Sequence, residues 1–407
     1  MHFIPILSSL RRHRTAATLI VLEIAVTCAI VCNAVFLVTD RVARMDRASG
    51  VAEDELVRVQ IAGIGKGQSD ARAITAQDLA ALRTIPGVKS VANTNMVPFG
   101  RSSWNNSLSA MPDDPHAPLN VATYMGSADL VETYGVQLVA GRDFNPDEYA
   151  DFEAMAQNKA KIGSIIVSRG VAEKIFPGQN ALGKTVYTWG KDPLTIVGII
   201  ERIARPNEYQ GSVGRDWAVF LPITMPYTLG SHYVMRVDPA RKAEVLAAAD
   251  ATLDKVDPRR IMLEHDTFHE IRTEYFRQDR AMAYLLVGVS IALLIITALG
   301  VVGLASFWVQ QRTRQIGIRR ALGATRKDIL RYFQTENFIL ASLGIVLGMG
   351  LAYGINLWLM HKYQVERLPS EFLPIGALLL WLLGQVAVLG PALRASMIPP
   401  AIATRTV

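Results

Sequence analysis

Cysteine is nearly absent: Cys28 and Cys32 are the only two in 407 residues, four positions apart within one apolar run. A disulfide framework is thereby excluded, and the redox state of any outer compartment stays unreadable. Neither follows the small residue that a lipoprotein cleavage site needs, since Thr27 and Val31 precede them. Charge is missing too, from four long segments: Thr15 to Val38, Tyr284 to Val309, Phe338 to Met360 and Phe372 to Leu393, where Glu23 is the sole charged residue. Each can cross a hydrocarbon core of about 30 Å, which takes roughly 20 apolar helical residues. At 50% hydrophobic residues and a mean hydropathy of +0.23, the chain is too apolar for an ordinary soluble enzyme. It is also too charged to lie wholly in lipid.

Arg11, Arg12 and Arg14 resemble the basic end of a secretory leader, but the apolar stretch after them is too long and lacks a small-x-small cleavage site. The first span therefore reads as an uncleaved anchor. Acidic residues are missing next from Arg312 to Lys327, where Arg312, Arg314, Arg319, Arg320, Arg326 and Lys327 meet no carboxylate before Asp328. Basic residues beside spans stay inside, so this loop and the N-terminus are expected to be cytoplasmic. Lys362 and Arg367, offset by Glu366 and Glu371, then mark an outer loop. Arg41, Arg44 and Arg47 argue mildly the other way, but long loops translocate largely regardless of charge. The net charge of +6 is mostly this topology signal and does not point to nucleic acid.

The layout that follows is a cytoplasmic N-terminus (1–14), a first span (15–38), an outer domain with stalk helices (39–282) and a second span (283–309). A cytoplasmic loop (310–335), a third span (336–360), a short outer loop (361–371), a fourth span (372–393) and a cytoplasmic tail (394–407) complete it. The fold class is a membrane protein of four transmembrane α-helices, with a large α+β extracytoplasmic domain of two subdomains between the first two helices.

Within that domain, Leu56 to Ile61 alternates like a half-buried strand, Thr75 and Asp78 resemble a capping box opening a helix over Gln77 to Thr84, and Pro86-Gly87 leads to a strand at Val88 to Val91. The same grammar recurs with a strand at Ser164 to Ser168, a helix at Arg169 to Phe176, and strands at Thr185 to Trp189 and Leu194 to Ile200. A third unit joins a strand at Tyr233 to Val237 to a helix at Pro239 to Leu253. Pro98 to Pro118 reads as a long loop, the subdomain boundary is expected near residue 120, and Thr267 to Tyr284 reads as a helical stalk.

Gly178 to Thr185 satisfies the phosphate-loop spacing, but that chemistry needs a strand before the loop and a helix after it. Here a helix precedes and a β-branched run follows, so a Pro-Gly turn is the better reading. His265 and His269 would share a helical face able to hold a metal, yet Asp266 stands where a zinc protease needs Glu and no third ligand is evident. Neither a metal nor a cofactor is assigned to this chain, and no catalytic constellation emerges. Glu23 is an intramembrane carboxylate and so a functional candidate, with packing or an interfacial partner such as Arg14 as the blander reading. Gly344, Gly348, Gly350 and Gly354 give Gly-xxx-Gly spacings that suit close packing within the four-helix unit.

The basic loop carries the most information. Arg312 to Leu322 patterns as a short helix with Gln315, Ile318 and Leu322 on one side, and Gly323 is placed to end it. Thr325 with Asp328 then reads as a fresh N-cap leading into the third span. Arg312-Thr-Arg-Gln-Ile-Gly-Ile-Arg-Arg-Ala-Leu-Gly-Ala324 resembles the signature R-x-R-E-I-G-I-R-R-A-L-G-A of MacB/FtsX-type ABC transporter permeases, with Gln315 in place of the usual Glu. Tyr134 to Phe144 resembles the family's GRxF region, Ala172 to Gly178 and Gly183 to Thr185 its FPG and GKT segment, and Pro391 to Ser396 with Pro399 or Pro400 its tail.

The resemblance implies a non-enzymatic permease subunit of the bacterial inner membrane. Arg312, Arg314, Gln315, Ile316, Gly317, Ile318, Arg319, Arg320, Ala321, Leu322 and Gly323 would dock on a separate cytosolic ABC ATPase that holds the ATP and magnesium. It further implies a second permease, the same chain or a paralogue, and in MacB-like members a periplasmic adaptor and an outer-membrane channel. Export by mechanotransmission is the first expectation. Lipoprotein release or control of cell-wall hydrolases is the alternative within the family, and a membrane-anchored sensor the alternative outside it. A co-purifying ATPase or kinase separates transport from sensing.

Overall fold

The structure, a computed structural model, describes residues 14–63, 71–112, 119–188, 192–207, 214–229, 232–363, 368–369 and 371–399. Arg11, Arg12, Trp189, Glu366, Arg367 and Pro400 of the sequence reading lie outside the described residues. The chain divides into two units, Met1–Asp46 with Gln278–Val407, and Arg47–Arg277. Helix α1, Arg14–Met45, opens the first of these and runs past the predicted end at Val38.

The unit Arg47–Arg277 starts with strand β1 (Leu56–Gly63), helix α2 (Ala71–Arg83) and strand β2 (Val88–Thr94). Helix α2 is where Thr75 and Asp78 depart from expectation. Both lie inside the helix, not at its start: Thr75 Oγ1 donates to the Ala71 carbonyl at 2.7 Å and accepts from Tyr227 N at 3.0 Å. Asp78 is buried against the Arg260 guanidinium at 2.7 and 2.9 Å and accepts the Tyr233 hydroxyl at 2.6 Å. Side chains that look like a local cap are used instead for contacts across the subdomain.

The chain next builds a second sheet from β3 (Asn105–Leu108), β4 (Leu119–Met125), β5 (Leu138–Gly141), β7 (Ser164–Ser168), β8 (Thr185–Tyr187), β9 (Pro193–Ile200) and β10 (Ala218–Leu221). Short helices α3 (Leu130–Tyr134), α4 (Phe152–Ala156) and α5 (Arg169–Ile175) punctuate it, and β6 (Ala150–Asp151) pairs with β11 (Ile223–Thr224) apart from it. Its seven strands are mixed, with β4/β10 and β7/β9 parallel and the rest antiparallel. Ile165, Val167, Ile196, Val219 and Leu221 form its core with Val171 of α5.

The chain then returns to the first sheet with β12 (His232–Val237), helix α6 (Lys242–Val256) and β13 (Arg260–Thr267). The order β13-β1-β12-β2 is antiparallel throughout, a split β-α-β arrangement whose α2 and α6 bury Leu79, Leu82, Val245 and Leu253 against Val57, Val59 and Met235. The two subdomains are therefore not divided near residue 120. The second sheet is an insertion between β2 and β12, because β1 pairs with strands far along the chain, Val57 opposite Met235 and Thr267. Helix α7 (Phe268–Tyr275) ends this unit, capped by Thr267 and Glu270.

The other unit continues with α8 (Arg277–Gln311), α9 (Thr313–Ala321), α10 (Arg326–Tyr363) and α11 (Phe372–Ser396). Helices α1, α8, α10 and α11 are long and apolar enough to cross a membrane. Burial of the apolar window is 61% in α1 but 11% in α8, so α1 is the packed centre of this unit and α8 its least covered helix. Polar pairs cross-link the helices: Thr27 with Thr297 at 2.8 Å, Asn33 Nδ2 to the Ala352 carbonyl at 3.1 Å, and Trp381 Nε1 to Ser342 Oγ at 3.1 Å. At the end of α1, Arg41 and Arg44 both pair with Asp279 of α8.

Candidate coupling site

A helix between two membrane helices needs a break at each end. At the first, Arg312 leaves helical geometry at φ −107° and ψ 11°, while its amide still bonds to Trp308 O at 3.1 Å and its carbonyl accepts Ile316 N at 2.9 Å. One residue thus separates α8 from α9. At the second, Gly323 takes φ +100°, a left-handed value open to glycine and costly for other residues. Ala324 N bonds to Arg319 O at 3.0 Å and Gly323 N to Arg320 O at 3.1 Å, the paired bonds of a Schellman stop. Thr325 and Asp328 then cap α10 reciprocally, Asp328 Oδ2 accepting Thr325 N at 2.9 Å and Asp328 N donating to Thr325 Oγ1 at 3.2 Å.

The residues of α9 divide by direction. Arg312 and Ile316 point inward. Ile316 is buried with Val309, Ile329, Phe333, Val388 and Ala392. Arg312 is 7% exposed and donates through Nη1 to both oxygens of Glu336, itself 1% exposed, at 3.0 Å each, with its guanidinium 5.7 Å from the Trp308 ring. Arg320 Nη1 donates to Ser396 O at 3.0 Å and Ile398 O at 2.8 Å, tying α9 to carbonyls left over at the end of α11. Arg319 lies 4.8 Å over the Tyr332 ring. Gly317 is buried, whereas Arg314, Gln315, Ala321 and Gly323 are exposed. Ile318 is 44% and Leu322 84% exposed, so the outer face carries two large apolar side chains beside Arg314 and Gln315.

Glu336 went unnoticed in the sequence, although an acid two residues before the apolar run that starts at Phe338, close to a loop full of arginine, was the available signal. Glu23 lies on the side of α1 turned to α8: a Cβ on Gly300 would come within 2.5 Å of either carboxylate oxygen. The Lys184 ammonium bonds to Gln179 Oε1 and sits 4.6 Å over the Phe176 ring, with β8 directly after it. Helix α5 precedes that loop and a strand follows it, the order of elements expected from the sequence. His265 lies on β13, where Nδ1 meets Asp250 Oδ2 at 2.9 Å, and His269 lies in the first turn of α7. The cap at Thr267 separates them, so the shared helical face read from the sequence does not form. In the GRxF stretch, Arg142 forks onto Glu148 at 2.6 and 2.9 Å and brings its carboxyl down to about 2, a structural clasp.

A family model for the MacB-like periplasmic core domain matches residues 15–256, more than half of the chain, and one for the FtsX-like permease C-terminal matches 287–400. The chain belongs to the MacB/FtsX-type permease family. The macrolide export ATP-binding/permease protein MacB of Vibrio parahaemolyticus is 25% identical over 314 residues, covering 72% of this permease and 42% of the relative. The ABC transporter permease YvrN of Bacillus subtilis, itself uncharacterised, is 27% identical over 260 residues, covering 59% and 61%. The crystal structure of the periplasmic region of MacB from Actinobacillus actinomycetemcomitans is 16% identical, covers 56% of this chain and 95% of that one, and gives a TM-score of 0.34. The permease spans between 34% and 61% of the length of relatives such as these.

Proposed function

We propose that this permease couples ATP hydrolysis on a separate cytosolic ABC ATPase to motion of its unit Arg47–Arg277 on the far side of the membrane, in an export system of the MacB kind. The observation that carries the reading is the division of α9: Arg312, Ile316 and Arg320 lock it to α10 and α11, while Arg314, Gln315, Ile318 and Leu322 present an apolar and cationic face. A face of that sort on a short rigid helix suits a groove on a protein partner, with Leu322 and Ile318 as anchors. The basic residues around it favour the cytoplasmic side, and with four spans both termini then lie there. Nucleotide and magnesium belong to the ATPase in this reading, and a second permease completes the membrane part.

Cysteine mapping tests it directly. Leu322→Cys is expected to react with a membrane-impermeant maleimide only in opened cells, against a quiet background because Cys28 and Cys32 are buried in α1. Leu322→Asp is expected to lose stimulation of the co-purified ATPase in proteoliposomes by about tenfold or more, the scale of a buried anchor at an interface. Labelling of intact cells from outside, or full stimulation with Leu322→Asp, overturns the proposal.

A further inference from the structure

The four-stranded sheet has one closed edge and one open edge. At β2, Ser127 N donates to Asn93 O and Asn93 N donates to Ser127 Oγ, each at 3.0 Å, so the turn before α3 covers the strand. At β13, among the described residues, no backbone hydrogen bond reaches the outer side of Ile261 to Asp266. A groove of about 690 Å³ lies against it, lined by Met262 to Asp266 in unbroken series. Successive strand residues point to opposite faces, so a groove that meets five in a row meets the edge of the strand. Phe99 and one face of α7, with Glu270, Ile271 and Glu274, supply further lining. Gln60 stands opposite Glu264 and Ile61 opposite Met262, which leaves Leu263 bulged; it and Ile261 are each 51% exposed. Strand β13 holds neither the lysine nor the proline that commonly blunts an edge.

We propose that this edge receives an extended, basic segment of a protein partner as a fifth strand. Main-chain groups along Glu264 to Asp266 supply the affinity in such an addition, and side chains select the partner. Here charge makes the selection. Glu264 and Asp266 are two residues apart on β13 and share the Arg58 guanidinium, and the Glu270 carboxylate bonds to Thr267 N and Oγ1 at 2.8 Å, neither of them a cation. Glu274 is offset by Arg101 at 3.2 Å and Arg277 at 3.3 Å, and Arg260 of β13 is spent on buried Asp78. Residues 208–213, which follow Asn207 of the lining, add Glu208 and no base. The charge displayed along the strand is therefore negative. Two copies of this chain set edge to edge would bring these acids together. Lysine or arginine at alternate positions of an incoming strand meets Glu264 and Asp266 instead, with apolar residues between them set toward Ile261 and Leu263.

The test uses the full chain in a neutral detergent and a fluorescein-labelled peptide, Lys-Val-Lys-Val-Lys-Val-Lys, followed by anisotropy. Saturable binding is expected, and none for the same peptide with glutamate in place of lysine. Two further peptides carry N-methyl groups, one on every valine and the other on every internal lysine. Only one of these sets of amides can face β13, so the two should differ in affinity by about fivefold or more, a contrast that charge alone does not produce. Glu264→Gln should weaken the parent peptide about two- to fivefold, the scale of an exposed charge pair, and Leu263→Lys should weaken it further by setting a like charge beside it. Absence of saturable binding, equal affinity of the two methylated peptides, binding of the glutamate peptide, or indifference to either variant overturns the proposal. Rapid crosslinking of Leu263→Cys to itself in peptide-free protein, where Cys28 and Cys32 are buried, gives the edge to a second copy and overturns it as well.

Discussion

Arg312 and Arg319 carry the same charge in one short helix, yet only one of them is inside the protein. Arg312 sits with Glu336 where water is scarce, and a buried ion pair has little to offer over apolar packing but much to lose when halved. Glu336→Ala should therefore cost about 3–5 kcal/mol, read as a fall in thermal unfolding temperature in detergent, whereas the double change Arg312→Met with Glu336→Leu should recover most of it. A single variant as stable as the parent would mean that the pair is not buried as described. His232 gives a second, pH-dependent case. Burial, aided by Arg58, brings its imidazole from 6.5 down to about 3. The unfolded chain then binds one more proton than the folded one across that window, so stability is complete above pH 6.5 and declines on acidification by roughly 1.4 kcal/mol per pH unit. Denaturant titrations from pH 7 to 4, followed by fluorescence of Trp104 and Trp217, should show a shallower decline in His232→Leu than in the parent; parallel slopes would discount the imidazole.

At the scale of elements, the glycines of α10 separate into two kinds that spacing alone does not distinguish. A Cβ on Gly348 would stand 2.5 Å from Cys28 Cβ and 2.7 Å from Ala25 O, and one on Gly344 2.8 Å from Ile24 Cβ, whereas Gly350 and Gly354 face open space. The Gly344 and Gly348 pair is thus the seam between α10 and α1. Gly348→Val should destabilise by about 1–3 kcal/mol through overpacking, with Gly350→Val held as the control that leaves the seam intact. Equal loss in both variants, measured by detergent melting curves, would remove the seam. The four long apolar helices, the cap formed by Thr325 and Asp328 and the break at Gly323 were legible in the sequence because each is set by residues within one or two turns. Strand pairing was not: nothing near Val57 tells that its neighbours are Met235 and Thr267, so the insertion between β2 and β12 was mistaken for a simple boundary. Thr75 and Asp78 misled for the related reason that their partners, Tyr227 and Arg260, lie in elements formed much later in the chain.

Across the whole molecule, the coupling proposed above needs one surface that receives force and another that passes it on, and in α9 the exposed side chains are not the ones packed on α10 and α11. The resemblance pointed to Arg312 and to the residues from Arg314 to Gly323 alike as contacts for the ATPase, since a sequence motif does not reveal which way a side chain turns. The structure divides them, and the division makes a prediction. Leu322→Asp should release the ATPase in affinity purification, because it alters the receiving face alone. Arg320→Met removes the bonds to Ser396 O and Ile398 O yet leaves Leu322 and Ile318 untouched. That variant should retain the ATPase and its basal turnover while losing the permease-stimulated component severalfold, since the stroke is no longer delivered to α11. Retention of both components in Arg320→Met, or loss of the ATPase itself, would show that docking and transmission are not carried by separate residues.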